Sequence, residues 1–356
     1  MALELPTLRI GVAGFSQEQH ETLRQLLQQD TATRQSWEFA APEVADALCV
    51  NGARTQLLPD GMLRIGSGVP GGRSVQIDPA GLNRPVAFAT PIPAQLNAYL
   101  TFDLEPQSVA LILRELQILL RPLTSQFCLA SQILEHEAAL GSGVYHVSRG
   151  DGTLVAVVDL RGDVGVLTTA SAPDFDDALW TPHARRAEPM PGQFYRCSLA
   201  SLMWQYAMRT TRDVLPARYR TEMLYFRRPP RLPQRLLADA HLLLLRELAT
   251  QPGNFADLQQ RTGLQPTELA TDLAALYLVG AITSNPKRAS PLQSQPPSML
   301  GDAAGPSTQQ AFDSSRRDDS MMSIRSGPGT VTSAPQPHGR GRRRDGTAPA
   351  PLQLDH

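Results

Sequence analysis

The chain predicts an α/β domain, two α+β domains and a disordered tail. Three observations carry that reading. Over the first third, short apolar runs alternate with segments of helical period. In the middle, two Gly-Asp turns separate apolar runs of strand length. From Asn285 onward, bulky apolar residues become scarce while Pro, Ser, Gly, Gln and Arg dominate. With 356 residues, 42% of them hydrophobic, the chain has material for two or three cores.

Residues 1–123 form the α/β domain with an open sheet. Leu8 to Phe15 reads as a buried strand, and Glu18 to Gln29 as a helix with Leu23, Leu26 and Leu27 on one face. Trp37–Phe39 and Asp46–Gly52 give two more strands. Leu63–Ile65 and Ser74–Ile77 form a hairpin pair joined by the glycine-rich connection from Gly66 to Gly72. Pro85–Thr90 is a further buried strand, and Pro106–Leu120 a helix with Val109, Ile112, Leu113, Leu116 and Leu120 inward. Strands alternating with helices favour a mainly parallel sheet.

Residues 124–210 form a β-meander/helix domain. A helix from Ser125 to Leu140 precedes strands at Val144–Val147, Leu154–Val158 and Val164–Leu167, and a helix from Leu199 to Arg209 closes it. The triplets Arg149-Gly150-Asp151 and Arg161-Gly162-Asp163 read as turns rather than adhesion motifs. Residues 211–232 read as an arginine/proline-rich linker. Residues 233–284 carry three short helices, the second capped by Asn254 and the third begun by Pro266, then a strand from Gly280 to Thr283. That order is winged-helix-like. Residues 285–356 are the expected disordered tail, with a basic cluster from Arg340 to Arg344.

Net charge is −1, so no global field draws the chain to nucleic acid or membrane. Lys287 is the only lysine among 33 basic residues. Cys49, Cys128 and Cys197 are too few and too scattered for a disulfide framework or a zinc knuckle. No apolar run has the length of a membrane span, and the first residues lack the basic start of a secretory signal. A cytoplasmic protein without membrane insertion is the expectation.

Catalytic motifs are not found. The Gly66–Gly72 stretch has no P-loop lysine, and the seven histidines never recur at metal spacing. Asp174, Asp176 and Asp177 read as helix N-terminal charge. No nucleophile–base constellation and no cofactor motif is present, so neither an enzyme nor a cofactor is expected.

One segment stands out. Arg209, Arg212, Arg218, Arg220, Arg227, Arg228, Arg231 and Arg235 face only two acids over the same stretch, Asp213 and Glu222. Tyr219, Tyr225 and Phe226 interleave with them. Guanidinium forks take phosphate bidentately, and aromatic rings stack on bases. A nucleotide or nucleic acid is one partner such a segment fits. The plainer alternative is a linker whose arginines pair with acidic surfaces of the flanking domains.

The element order of the first domain resembles the receiver domain of bacterial response regulators. In that resemblance Gly14-Phe15-Ser16 stands where magnesium-binding acids belong, and Asn51 occupies the degenerate phospho-acceptor position. Thr90 matches the hydroxyl residue after the fourth strand, while the lysine partner has no counterpart. The resemblance therefore implies a pseudo-receiver without phosphorelay chemistry. Gly152-Thr153-Leu154 through Gly165-Val166-Leu167, and Ser198 to Met203, resemble the small β-rich effector domain of bacterial gliding and cell-pattern regulators.

The expected function is a non-catalytic signalling adaptor that acts on other signalling proteins, with an anionic ligand possible at the arginine segment. One alternative is a transcription regulator, disfavoured because Gln265 to Leu278 contains no Arg or Lys and presents Glu268 and Asp272. The other is a cyclic-dinucleotide receptor built on the arginines and aromatics.

Overall fold

In β1 (Leu8–Ala13), Leu8 and Ile10 face one side and Ala13 the other, the period-two pattern of a strand buried on both faces. The computed structural model describes residues 3–29, 35–79, 81–94, 96, 100–183 and 190–291. After β1 come α1 (Gln17–Gln29), β2 (Trp37–Ala40) and β3 (Ala47–Asn51). A small antiparallel sheet follows, made of β4 (Thr55–Leu57), β5 (Leu63–Ile65) and β6 (Val75–Ile77). The chain then returns as β7 (Val86–Ala89), β8 (Thr101–Phe102) and α2 (Pro106–Leu119).

The main sheet has the order β2-β1-β3-β7-β8, with every neighbouring pair parallel. Ile10, Cys49 and Ala87 on one face pack against Leu23 of α1 and Ile112 and Leu116 of α2. Leu48, Val50 and Phe88 on the other face are covered by Leu63, Ile65 and Ile77 of the small sheet. A three-stranded sheet thus stands where a crossover helix usually covers a parallel sheet.

α3 (Arg121–Glu135) starts earlier and ends earlier than its apolar spacing suggests, because Pro122 suits a first helical turn. It leads to β9 (Val144–Ser148), β10 (Leu154–Asp159) and β11 (Asp163–Leu167). Then come α4 (Ala172–Asp176), β12 (Leu179–His183), β13 (Phe194–Ser198) and α5 (Leu199–Ala207). The expected meander is the centre of a five-stranded antiparallel sheet, ordered β12-β9-β10-β11-β13. Both Arg-Gly-Asp triplets lie in its hairpin turns, where the Gly152 and Gly162 amides donate to the carbonyls of Arg149 and Asp159. Asp174 accepts from both the amide and the hydroxyl of Ser171, which caps α4.

The last elements are α6 (Arg218–Thr221), β14 (Tyr225–Phe226), α7 (Asp239–Thr250), α8 (Phe255–Thr262), α9 (Pro266–Leu278) and β15 (Ile282–Thr283). β14 precedes the three helices and pairs antiparallel with β15 after them. The expected caps are present: Asn254 and Asp257 bond reciprocally at the start of α8.

Three findings differ from the sequence expectations. The segment read as a linker, 211–232, buries Leu215, Tyr219 and Leu224, since it is threaded through the core rather than strung between domains. One continuous core runs from Phe127 to Ile282, so the two α+β parts share their interior. And α9 is enclosed: every residue from Asp272 to Leu278 is buried, with α5 on one flank and α7 on another. Asp272, expected to project outward, is 7% exposed and its Oδ1 lies 3.1 Å from Nε2 of the buried His241. Small residues at Ala274 and Ala275 allow neighbouring helices to close around α9.

Overall the described residues are mixed α/β, with nine α-helices and several sheets, and they fall within one compact unit. Among them no helix is long and apolar enough to cross a membrane. The expected disordered tail from 292 onward, with its Arg340–Arg344 cluster, lies outside the described residues.

Candidate anion-binding site

Two places in the sequence invite a functional reading: the end of β3, and the arginine segment. At the first, Asn51 is 6% exposed. Its Oδ1 accepts from the amide of Ala53 at 3.1 Å and starts a 3-10 turn over Gly52–Arg54. Its Nδ2 donates to Oε1 of Gln19 at 3.4 Å. Gln19 is held in turn by Ser16, whose amide donates to the same Oε1 at 3.0 Å and whose hydroxyl accepts from the Gln19 amide at 3.2 Å. The glycine-rich connection closes over this corner, where a Cβ on Gly68 would lie 1.7 Å from the carbonyl oxygen of Phe15. Thr90 bonds the side chain of Asp103. Asp46 is paired with Arg209. The side chains of Asn51, Gln19 and Ser16 therefore satisfy one another, and among the described residues no cluster of carboxylates is placed there to hold a cation, Asp46 lying at the other end of β3.

Six of the eight arginines fall into two groups of three, and Arg218 and Arg235 stand apart. Arg209 donates two hydrogen bonds to the buried Asp46, Arg212 pairs with Glu135 at 2.8 Å, and Arg220 pairs with Asp213 at 2.7 Å. Arg220 also lies over the Phe255 ring, 5.5 Å from its centroid. Those three follow the plainer expectation of pairing with acidic neighbours. Arg218 is half-buried beside Tyr219, and its Nε and Nη2 have no hydrogen-bond partner among the described residues. Arg235 is exposed in a 3-10 turn over Gln234–Leu236.

Arg227, Arg228 and Arg231 form the second group. Just after β14, the amides of Arg227 and Arg228 donate to the carbonyl of Ala281. Nε of Arg228 donates to the carbonyl of Gly280 at 3.2 Å, at the C-terminal end of α9. Gly280 has φ +67°, the left-handed conformation that ends a helix at little cost to glycine. A Cβ there would lie 3.1 Å from Nη2 of Arg228 and 3.6 Å from Nη1 of Arg227. The two guanidinium tips therefore converge on one Cα. Partial burial, then the positive charges of Arg227 and Arg231, hold the pKa of Arg228 below the usual arginine value. None of the three pairs with a carboxylate among the described residues.

The aromatic half of the expectation is not met as a single surface. Tyr219 is fully buried and packs on Tyr277, ring centroids 4.8 Å apart, so it belongs to the core. Tyr225 and Phe226 are half-buried in β14, and Phe226 packs against the same core. Residues that spacing did not single out are Gly280 and Ala281, whose carbonyls organise the arginines. The helix-ending glycine was legible, but not the strand that returns beside it.

Among the described residues no group of three or more His, Cys, Asp or Glu side chains is placed to hold a metal ion. No protein-family model, curated protein or solved structure matches the chain.

Proposed function

We propose that this chain is a non-catalytic signalling adaptor whose first domain is a pseudo-receiver. The observation that carries the reading is the state of Asn51. It ends the central strand of a parallel sheet whose order, 2-1-3-4-5 when the main-sheet strands are counted in sequence, is that of the flavodoxin-like folds to which receivers belong. At that position it is an amide, buried and hydrogen-bonded to Gln19, where a receiver needs an accessible carboxylate. An amide cannot form an acyl phosphate, and a divalent cation needs several oxygen ligands, carboxylates above all.

The rest of the chain supports output through contact surfaces. A β-rich unit with α3 and α5 on it shares one core with the helices that follow, which makes it a rigid platform. Arg227 and Arg228, whose guanidinium tips both approach Gly280, are where an anionic ligand would act on that platform. A DNA-binding role through α9 is disfavoured sterically as well as by charge. Its exposed residues are confined to the first turns and include Glu268, while the remainder is enclosed by neighbouring helices.

Magnesium titration followed by tryptophan fluorescence tests the pseudo-receiver. The proposal expects no saturable change from Trp37, which sits in β2 of the main sheet; a saturable millimolar-range response would overturn it. Filter binding of duplex DNA across a salt series separates adaptor from transcription regulator. Tight and steeply salt-dependent retention would favour the regulator.

A further inference from the structure

Arg227 and Arg228 have a geometry that capping α9 does not use up. The end of α9 is capped by backbone, the amides of Gly280 and Ala281 donating to the carbonyls of Tyr277 and Leu276, and Nε of Arg228 adds a single bond to the Gly280 carbonyl at 3.2 Å. Both Nη groups of Arg228 remain, and the guanidinium of Arg227 has no hydrogen-bond or ion-pair partner among the described residues. Their tips nevertheless meet over Gly280, within 3.1 and 3.6 Å of where its Cβ would be. The carbonyl end of α9 favours positive charge there, but two guanidinium groups brought this close still repel, and an anion between them would relieve that repulsion. Pro229 and Pro230 follow directly and restrict the backbone that carries them.

We propose that Arg227 and Arg228 form a clamp over Gly280 for a phosphoryl oxyanion. The ligand class follows from donor counting. Two guanidinium forks offer more N–H groups than the two oxygens of a carboxylate can take in good geometry, whereas a phosphoryl group presents three acceptor oxygens to both. Gly280 matters because a side chain there would press on Arg228. The clamp deepens the ligand-gated part of the adaptor reading, but its geometry is independent of the pseudo-receiver.

Isothermal calorimetry on the full chain tests it with four probes: inorganic phosphate, guanosine monophosphate, a cyclic guanine dinucleotide and citrate. Wild type is expected to bind at least one phosphoryl probe, more tightly than citrate. Equal affinity for inorganic phosphate and the nucleotides identifies free phosphate as a sufficient ligand; binding of the nucleotides alone identifies an ester. Arg227→Gln is expected to weaken binding about tenfold or more, the loss of one charge-assisted fork. Arg227→Lys, which keeps the charge and stem but not the fork, should fall between. Arg235→Gln should leave affinity unchanged, and circular dichroism should show each variant folded. Silence of wild type toward every phosphoryl probe at millimolar concentration overturns the clamp. So does a folded Arg227→Gln variant that binds like wild type, or citrate binding as tightly as the phosphoryl probes. The magnesium titration is unaffected by any of these results, so the clamp and the pseudo-receiver fail separately.

Discussion

Arg209 donates from Nη1 to Oδ2 of Asp46 at 2.7 Å and from Nη2 to Oδ1 at 2.6 Å, tying the end of α5 to the strand entering the first sheet. The same carboxylate accepts from the amide of Arg9 at 2.8 Å, and the Arg9 side chain reaches the carbonyl of Met208 at 3.0 Å. Glu4 adds a second tie by accepting from the amide and hydroxyl of Thr211 and the hydroxyl of Thr210. The first sheet is thereby fastened to the α5 region through a few polar contacts, most of them partly buried.

Removing one half of that pair leaves a buried charge alone. Asp46→Ala is expected to cost about 3–5 kcal/mol of unfolding free energy, read from urea denaturation. Replacing both partners, as Asp46→Leu with Arg209→Met, should recover most of it, leaving roughly 1–2 kcal/mol for the Arg9 amide that loses its acceptor. A double variant no better than Asp46→Ala would show that the pair's net attraction, not the orphaned charge, sets the cost.

His241 links the start of α7 to α9. Its Nδ1 accepts from the amide of Ala238 at 2.9 Å, which places the ring proton on Nε2, facing Asp272. Nε2 and Oδ1 are close but poorly aligned for a hydrogen bond, so the contact is mainly one of packing, with the N–H end of the ring dipole toward the carboxylate. His241→Phe should cost about 3–5 kcal/mol, because the α7 cap is lost and the Asp272 carboxylate is stranded. Asp272→Asn should cost clearly less. Equal losses in thermal denaturation would argue against this division of roles.

Burial pushes each of the thiols of Cys49, Cys128 and Cys197 up to about 12. In the unfolded chain they ionise near the ordinary thiol value, so between about pH 9 and 12 the unfolded state binds fewer protons and stability falls as pH rises. Each thiol is expected to contribute up to about 1.4 kcal/mol per pH unit in that window and nothing below it. Urea midpoints at pH 8 and pH 10 check this, with Cys49→Ala predicted to flatten the slope. An unchanged slope in that variant would contradict the assignment for Cys49.

Much of the first domain was legible because both faces of its sheet are buried. Ile10, Cys49 and Ala87 alternate with Leu48, Val50 and Phe88, so short continuous apolar runs marked the strands. β12 and β13 were missed because they are edge strands without a continuous apolar run, the first largely exposed and carrying Pro182, the second with Tyr195 and Arg196 outward. The direction of Asp272 was misread because helical periodicity assumes one buried face, whereas α9 is surrounded. At the candidate site, arginine density was visible, but density does not pair charges. Only the fold shows that Arg209, Arg212 and Arg220 meet carboxylates while Arg227 and Arg228 both approach Gly280.

The central claim is that the first domain cannot take up phosphate at Asn51. Incubation of the full chain with acetyl phosphate and magnesium, followed by intact mass spectrometry, tests it most directly. The expected mass is that of the untreated chain, and Asn51→Asp should also stay unmodified, because among the described residues no cluster of carboxylates stands at the corner around Gln19 and Ser16 to hold magnesium. A stable adduct of one phosphoryl group on the wild-type chain, mapped to the first domain, would contradict the claim.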